Sequence, residues 1–130
     1  MRILGIDYGS KRVGLALSDP SEAFAQPYSV IKNSKDLIED IKSVISKEGV
    51  AEIVIGDSKD FKGKDNAIMS KILELKKNLE NETKLSVILE PEFLSSHQAA
   101  YFQGQHELLD ASAAAIILQS YLERKKNNKK

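Results

Sequence analysis

Cysteine is absent from this chain. No disulfide framework and no thiolate zinc site can form, and the lack fits the reducing cytosol. No apolar run approaches the ~18 residues of a membrane-spanning helix. The N-terminus has no charged-then-apolar leader before a small-residue cleavage site. The expectation is a soluble, cytoplasmic protein with no membrane partner. Net charge is missing as well, because 19 Lys and Arg balance 19 Asp and Glu. Bulk charge gives no pull toward a polyanion, so any nucleic-acid contact must come from local patches. Histidine is scarce, with two in the chain. His97 and His106 are too far apart for a helical zinc pair and read as surface or capping residues.

What remains is ample for a core. The chain has 130 residues, 42 % of them hydrophobic, a size and composition that fold without covalent staples. The expected organisation is one domain over residues 1–124. A basic flexible tail, residues 125–130 of "ERKKNNKK", would follow it. That tail reads either as a solubilising end or as an arm touching phosphates.

Periodicity orders the elements. "RILGID" (2–7) and "VGLALS" (13–18) are aliphatic runs bounded by Gly and Asp, and read as a hairpin turning in "YGSKR". Pro20 and Pro27 punctuate the next stretch, and "YSVI" (28–31) reads as a third strand. "NSKDLIEDIKSVISKEG" places Leu37, Ile38, Ile41, Val44 and Ile45 on one helical stripe, with Asn33 or Ser34 to cap it and Gly49 to end it. "AEIVIG" (51–56) is a buried strand and "DSKDFKGKD" (57–65) a polar loop. A second helix carries Ile68, Ile72, Leu75 and Leu79 on one face. "KLSVIL" (84–89) is a fifth strand. A short helix is expected from Ser95 or Ser96, and "LLDASAAAIILQSYLERKK" forms a long Ala-rich helix. A hairpin followed by βα alternation predicts an α/β fold, a five-stranded mixed sheet with helices on both faces.

Acids stand at the ends of these strands: Asp7 at the exit of the first, Glu90 and Glu92 at the exit of the fifth, and Asp110 at the start of the last helix. Functional groups of α/β sheets gather at such exits. Carboxylates converging there repel one another, and a hard divalent cation resolves the repulsion. Each acid also has a local reading. Asp7 before Tyr-Gly-Ser suits a turn, and Asp110 suits a helix cap. Of Glu90 and Glu92, at most one is expected to be functional.

"GIDYGSKRVGLALSD", "EIVIG", "EFLSS" and "LLDASAAAIILQSYLE" together resemble the YqgF-type, or RuvX-like, family of Holliday junction resolvase-like proteins with an RNase H-like fold. The resemblance covers nearly the whole chain. It implies a metal-dependent nuclease associated with 5′-end processing of pre-16S rRNA and, by analogy, with branched DNA. The family's catalytic acids fall on Asp7, Glu92 and Asp110, which would hold Mg²⁺ or Mn²⁺. Its hydroxyl pair falls on Ser95 and Ser96. Two departures stand out: Pro91 and Phe93 replace the usual Asp and Arg around Glu92. A lost Arg removes a bidentate phosphate donor.

Gly9, Ser10, Lys11 and Arg12, in the turn after Asp7, are the expected phosphate contacts, with Ser95 and Ser96; Lys11 and Arg12 read equally as the solvated cations of a hairpin turn. The expected partners are precursor rRNA, branched DNA and ribosomal precursor particles, engaged by a monomer or weak homodimer. The motif changes motivate an alternative, a nucleic-acid-binding module with weakened catalysis. "GIDYGS" also resembles the phosphate loop of actin-like ATPases, but those need two similar domains and this chain has room for one.

Overall fold

The structure, a computed structural model, describes residues 1–57, 67–91 and 109–127. Five strands and three helices occupy them: β1 (Arg2–Tyr8), β2 (Arg12–Ser18), β3 (Ala25–Lys32), α1 (Leu37–Glu48), β4 (Val50–Asp57), α2 (Ala67–Thr83), β5 (Ser86–Pro91) and α3 (Leu109–Asn127). The strands form one sheet in the order β3-β2-β1-β4-β5. β1 pairs antiparallel with β2, and β2 with β3, while β1–β4 and β4–β5 are parallel. The five-stranded mixed sheet expected from the sequence is present.

Side-chain alternation divides the core in two. Leu4 and Ile6 of β1, with Ile53 and Ile55 of β4, pack against Leu37 and Ile41 of α1 and Ile72, Leu75 and Leu79 of α2. Ile3 and Val54 face the other way, onto Ala114, Ile117, Leu118, Tyr121 and Leu122 of α3. Helices cover both faces, which explains why β1 and β4 read as continuous apolar runs rather than as alternating strands. The apolar spacing of α3 is the i, i+3, i+4, i+7 stripe of a helix laid on a sheet. Small alanines let it lie close. A Cβ added to Gly5 would come within 2.8 Å of the Leu118 Cβ and 3.0 Å of the Ala114 carbonyl oxygen.

Several local expectations shift. β3 begins at Ala25, and Pro27 lies inside it. The strand tolerates this proline because it is at the sheet edge, and a register shift opposite Leu15 and Ala16 takes up one extra residue. Helix α1 starts at Leu37, after Asp36, and no side chain caps it. Ser34 instead accepts a hydrogen bond from the Asp36 N–H at 3.2 Å, and Asn33 is used elsewhere. The second helix buries Met69 beside the three aliphatics. The last helix runs to Asn127, so Lys125 and Lys126 belong to α3 rather than to a tail. Lys125 is tied there by ion pairs to Glu22 at 3.0 Å and Glu52 at 3.4 Å. Beside it, the Tyr121 hydroxyl donates to Glu52 at 2.9 Å. Burial, reinforced by that bond, pushes the Tyr121 phenol up to about 12. No helix among the described residues is long and apolar enough to cross a membrane.

The β2–β3 connection is organised by Asp19. Its carboxylate accepts the hydroxyl of Ser21 and the N–H groups of Ala23 and Phe24, the latter two at 2.8 Å. The Ser21 bond first, then those from the backbone, hold the Asp19 carboxyl well below the usual range.

Two predictions follow from these contacts. Gly5→Ala forces α3 off β1 and is expected to lower stability by about 1–3 kcal/mol in urea denaturation. Asp19 has a depressed folded pKa, so its contribution is complete above its unfolded pKa of about 3.9 and is lost as pH falls through the folded value. Asp19→Ala is therefore expected to flatten the acid limb of the stability–pH profile while lowering stability near neutrality.

Candidate active site

β1 delivers Asp7. Positions 3, 5 and 7 share a face, and the contacts of Ile3 and Gly5 identify it as the α3 face. Asp7 is half-buried at the strand exit, opposite Gly14 of β2. The path of α3 follows from its contacts. Ala114 and Leu118 sit over Gly5, and Tyr121 and Lys125 reach Glu52 near the start of β4. The helix thus runs from the exit of β1 toward the sheet's other end. Asp110 is its second residue, one turn before Ala114, inside the first turn rather than at a cap.

The same exit row continues across the sheet. Ile6 is level with Ile55, and Ile55 with Leu89. One residue on, Asp7, Gly56 and Glu90 share a row on the α3 face, and Gly56 between the two acids carries no side chain. Glu90 is 3 % exposed and is the one buried charged residue among those described. Ser120 donates to one of its oxygens at 3.1 Å, and Arg124 pairs with the other. Glu90 is accordingly engaged with α3. Glu92, Ser95 and Ser96 lie outside the described residues, as do His97 and His106. Among the described residues, no three His, Cys, Asp or Glu side chains cluster to hold a metal ion.

The turn after Asp7 is tightly specified. The Asn33 side-chain amide donates to the Gly9 carbonyl at 2.8 Å, and the Asn33 N–H donates to the Lys11 carbonyl at 3.0 Å. A Cβ on Gly9 would meet the Arg12 carbonyl oxygen at 2.5 Å. The close approach that requires glycine there is made by the chain itself. Ser10, Lys11 and Arg12 are exposed. The β2–β3 register sets Lys32 directly opposite Arg12, so three cations line this edge. Asn33 and Lys32 could not be singled out from sequence, since their roles depend on strand register and on a contact 24 residues away.

The sequence profile of the family described as "RuvX: Holliday junction resolvase" matches residues 1–124. The chain belongs to the RuvX family. A relative from Maridesulfovibrio salexigens, named "Putative pre-16S rRNA nuclease", is 35 % identical over 134 residues, spanning 95 % of this chain and 99 % of the relative. One of the same name from Caldanaerobacter subterraneus subsp. tengcongensis is 33 % identical over 140 residues, spanning 98 % and 100 %. Among solved structures, RuvC of Thermus thermophilus superposes with a TM-score of 0.65 at 15 % identity, covering 98 % of this chain and 97 % of its own. The Fowlpox virus resolvase, solved with Holliday junction DNA, gives 0.64 at 16 % identity, covering 96 % and 99 %. At such identities these structures show the fold alone, the RNase H-like fold expected of this RuvX family member. Its enzyme class is that of the family, a nuclease acting on phosphodiester bonds.

Asn33→Ala removes the amide that fastens the Gly9–Lys11 turn. Stability is expected to fall by about 1 kcal/mol, the usual net worth of one such bond, and urea denaturation reads it.

Proposed function

We propose that this chain is a divalent-metal-dependent endonuclease for structured nucleic acid, acting on the 5′ end of precursor 16S rRNA and, second to it, on branched DNA. The nuclease domain runs from residue 1 through α3. The observation that carries the reading is Asp7, held at the exit of β1 on the face toward which the first turn of α3, with Asp110, is directed. The curated relatives, similar over nearly their full length, support the rRNA substrate by their names. The resolvase fold supports branched DNA as a second one.

The donor chemistry fits the metal. Asp7, Glu92 and Asp110 offer hard oxygens, and a chain without cysteine offers no thiolate, so Mg²⁺ or Mn²⁺ suits the set better than zinc. When bound, the ion supplies activation of water and neutralisation of developing negative charge. The chain's own residues do the rest. The three carboxylates hold and orient the ion. Ser10, Lys11 and Arg12, with Ser95 and Ser96, grip phosphate oxygens and fix the scissile bond against the site. Lys32, set opposite Arg12 on the neighbouring strand, adds a further cation beside the turn after Asp7. No covalent enzyme intermediate is required. Precursor ribosomal particles in the cytoplasm are the setting this substrate implies, and a monomer or weak dimer suffices for trimming RNA.

The test compares a precursor 16S rRNA fragment with a four-way DNA junction, in Mg²⁺, Mn²⁺ and EDTA. Cleavage of the RNA is expected with either metal and not with EDTA. Asp7→Asn is expected to lower kcat by about 100-fold or more while the circular dichroism spectrum stays that of the wild type. Undiminished cleavage by that variant overturns the assignment. Salt-sensitive RNA binding without cleavage under any metal would make the chain a binding module, the outcome that Pro91 and Phe93 motivate.

A further inference from the structure

The mechanism above makes no use of the buried charge on β5. Glu90 lies on the α3 face, level with Asp7 and two residues before Glu92. Both of its oxygens are engaged by α3, one by the Ser120 hydroxyl and the other by Arg124. Burying a carboxylate is unfavourable unless it is paired and hydrogen-bonded, and here both conditions are met by one helix. That helix lies chiefly over β1, β2 and β3, and its contact with β5 is slight. Ile88 supplies an apolar part of that contact, and the Glu90 cluster supplies a directional polar part. A short apolar contact allows sliding, whereas a two-point charged contact fixes distance and rotation together.

We infer that the Glu90–Ser120–Arg124 clamp is a positioning device. It holds the exit of β5, and with it the strand leading into Glu92, at a fixed offset from α3, the element that carries Asp110. Glu90 itself is a positioning residue and not a ligand. The inference rests on the carboxylate site proposed above. Arg124 is half-exposed while its partner is buried, so the arginine can be altered conservatively without opening the core. Among the described residues, nothing comparable ties α3 to β4 at this end. The polar contact with β4 joins Tyr121 and Lys125 to Glu52, four residues before the Gly56 row.

The experiment measures Mn²⁺ binding by isothermal titration calorimetry, thermal unfolding, and kcat and KM on the precursor rRNA fragment. Glu90→Gln keeps the shape and an acceptor for Ser120 but removes the charge pair. Mn²⁺ affinity and kcat are each expected to fall by about 10- to 100-fold, the range seen when the partners that orient a metal's ligands are lost. KM should change less than kcat, because Ser10, Lys11 and Arg12 belong to the β1–β2 turn and the start of β2, away from β5. Arg124→Gln, which leaves the carboxylate in place but removes its cation, is expected to reproduce both losses. Arg124→Lys, which keeps a cation beside Glu90, is expected to retain most of the wild-type affinity and kcat. Glu90→Gln with wild-type Mn²⁺ affinity and kcat, whatever its melting temperature, overturns the inference. So does Arg124→Gln with wild-type metal affinity, which decides the matter if Glu90→Gln does not fold. A wild-type protein that binds no Mn²⁺ removes the carboxylate site itself, an outcome distinct from failure of the clamp because it is read before any variant is made.

Discussion

The contact of α3 with the bare backbone of Gly5 sets the geometry at the carboxylate end of this molecule. A helix can rest directly on a strand only where no side chain intervenes, and Gly5 on β1, facing the Leu118 Cβ and the Ala114 carbonyl of α3, provides that place. Once the helix is seated, its axis is fixed over the central strand, and the first turn is carried toward the exit where Asp7 emerges. The two acids belong to opposite ends of the chain, yet one methyl-sized contact determines how near their elements lie. Alanines 16, 114 and 115 are interspersed with the larger side chains of that face and let the helix lie close.

Polar contacts complete what apolar packing leaves free. Around α3 they fall on three sides. Gln119 accepts from the Ala25 N–H at 2.8 Å and secures the start of β3. Tyr121 and Lys125 reach Glu52 on β4, and Ser120 and Arg124 reach Glu90 on β5. The helix is pinned in rotation as well as in height. A sheet of mixed polarity needs this, since its two halves are joined at β1 by parallel pairing on one side and antiparallel pairing on the other.

Much of this was legible in the sequence, for identifiable reasons. Short apolar runs bounded by turn residues and the 3.6-residue stripe are local, so β1, β2, β4, β5 and the three described helices could be read from the sequence alone. The placement of Asp7 at a strand exit could be read the same way. What could not be read depends on contacts between distant segments. Asn33 looked like a cap because asparagine caps helices, but the turn after β1 takes its amide instead. Glu90 looked exchangeable with Glu92 because nothing local announces a partner 34 residues away. The basic run after Glu123 looked like a tail because its lysines are polar, although acids on β4 and the β2–β3 connection draw Lys125 into the helix. Pro27 read as a break because the edge position of β3, which excuses it, belongs to the sheet and not to the segment.

That proline has a bearing on assembly. An outermost strand with all its amides available invites a neighbour's strand to add to it, and sheets of separate molecules then fuse. In β3 one amide is chemically missing, and the extra residue beside it breaks the even spacing of the others. That margin, which also carries Lys32 opposite Arg12, is therefore a poor template for the strand of a second copy.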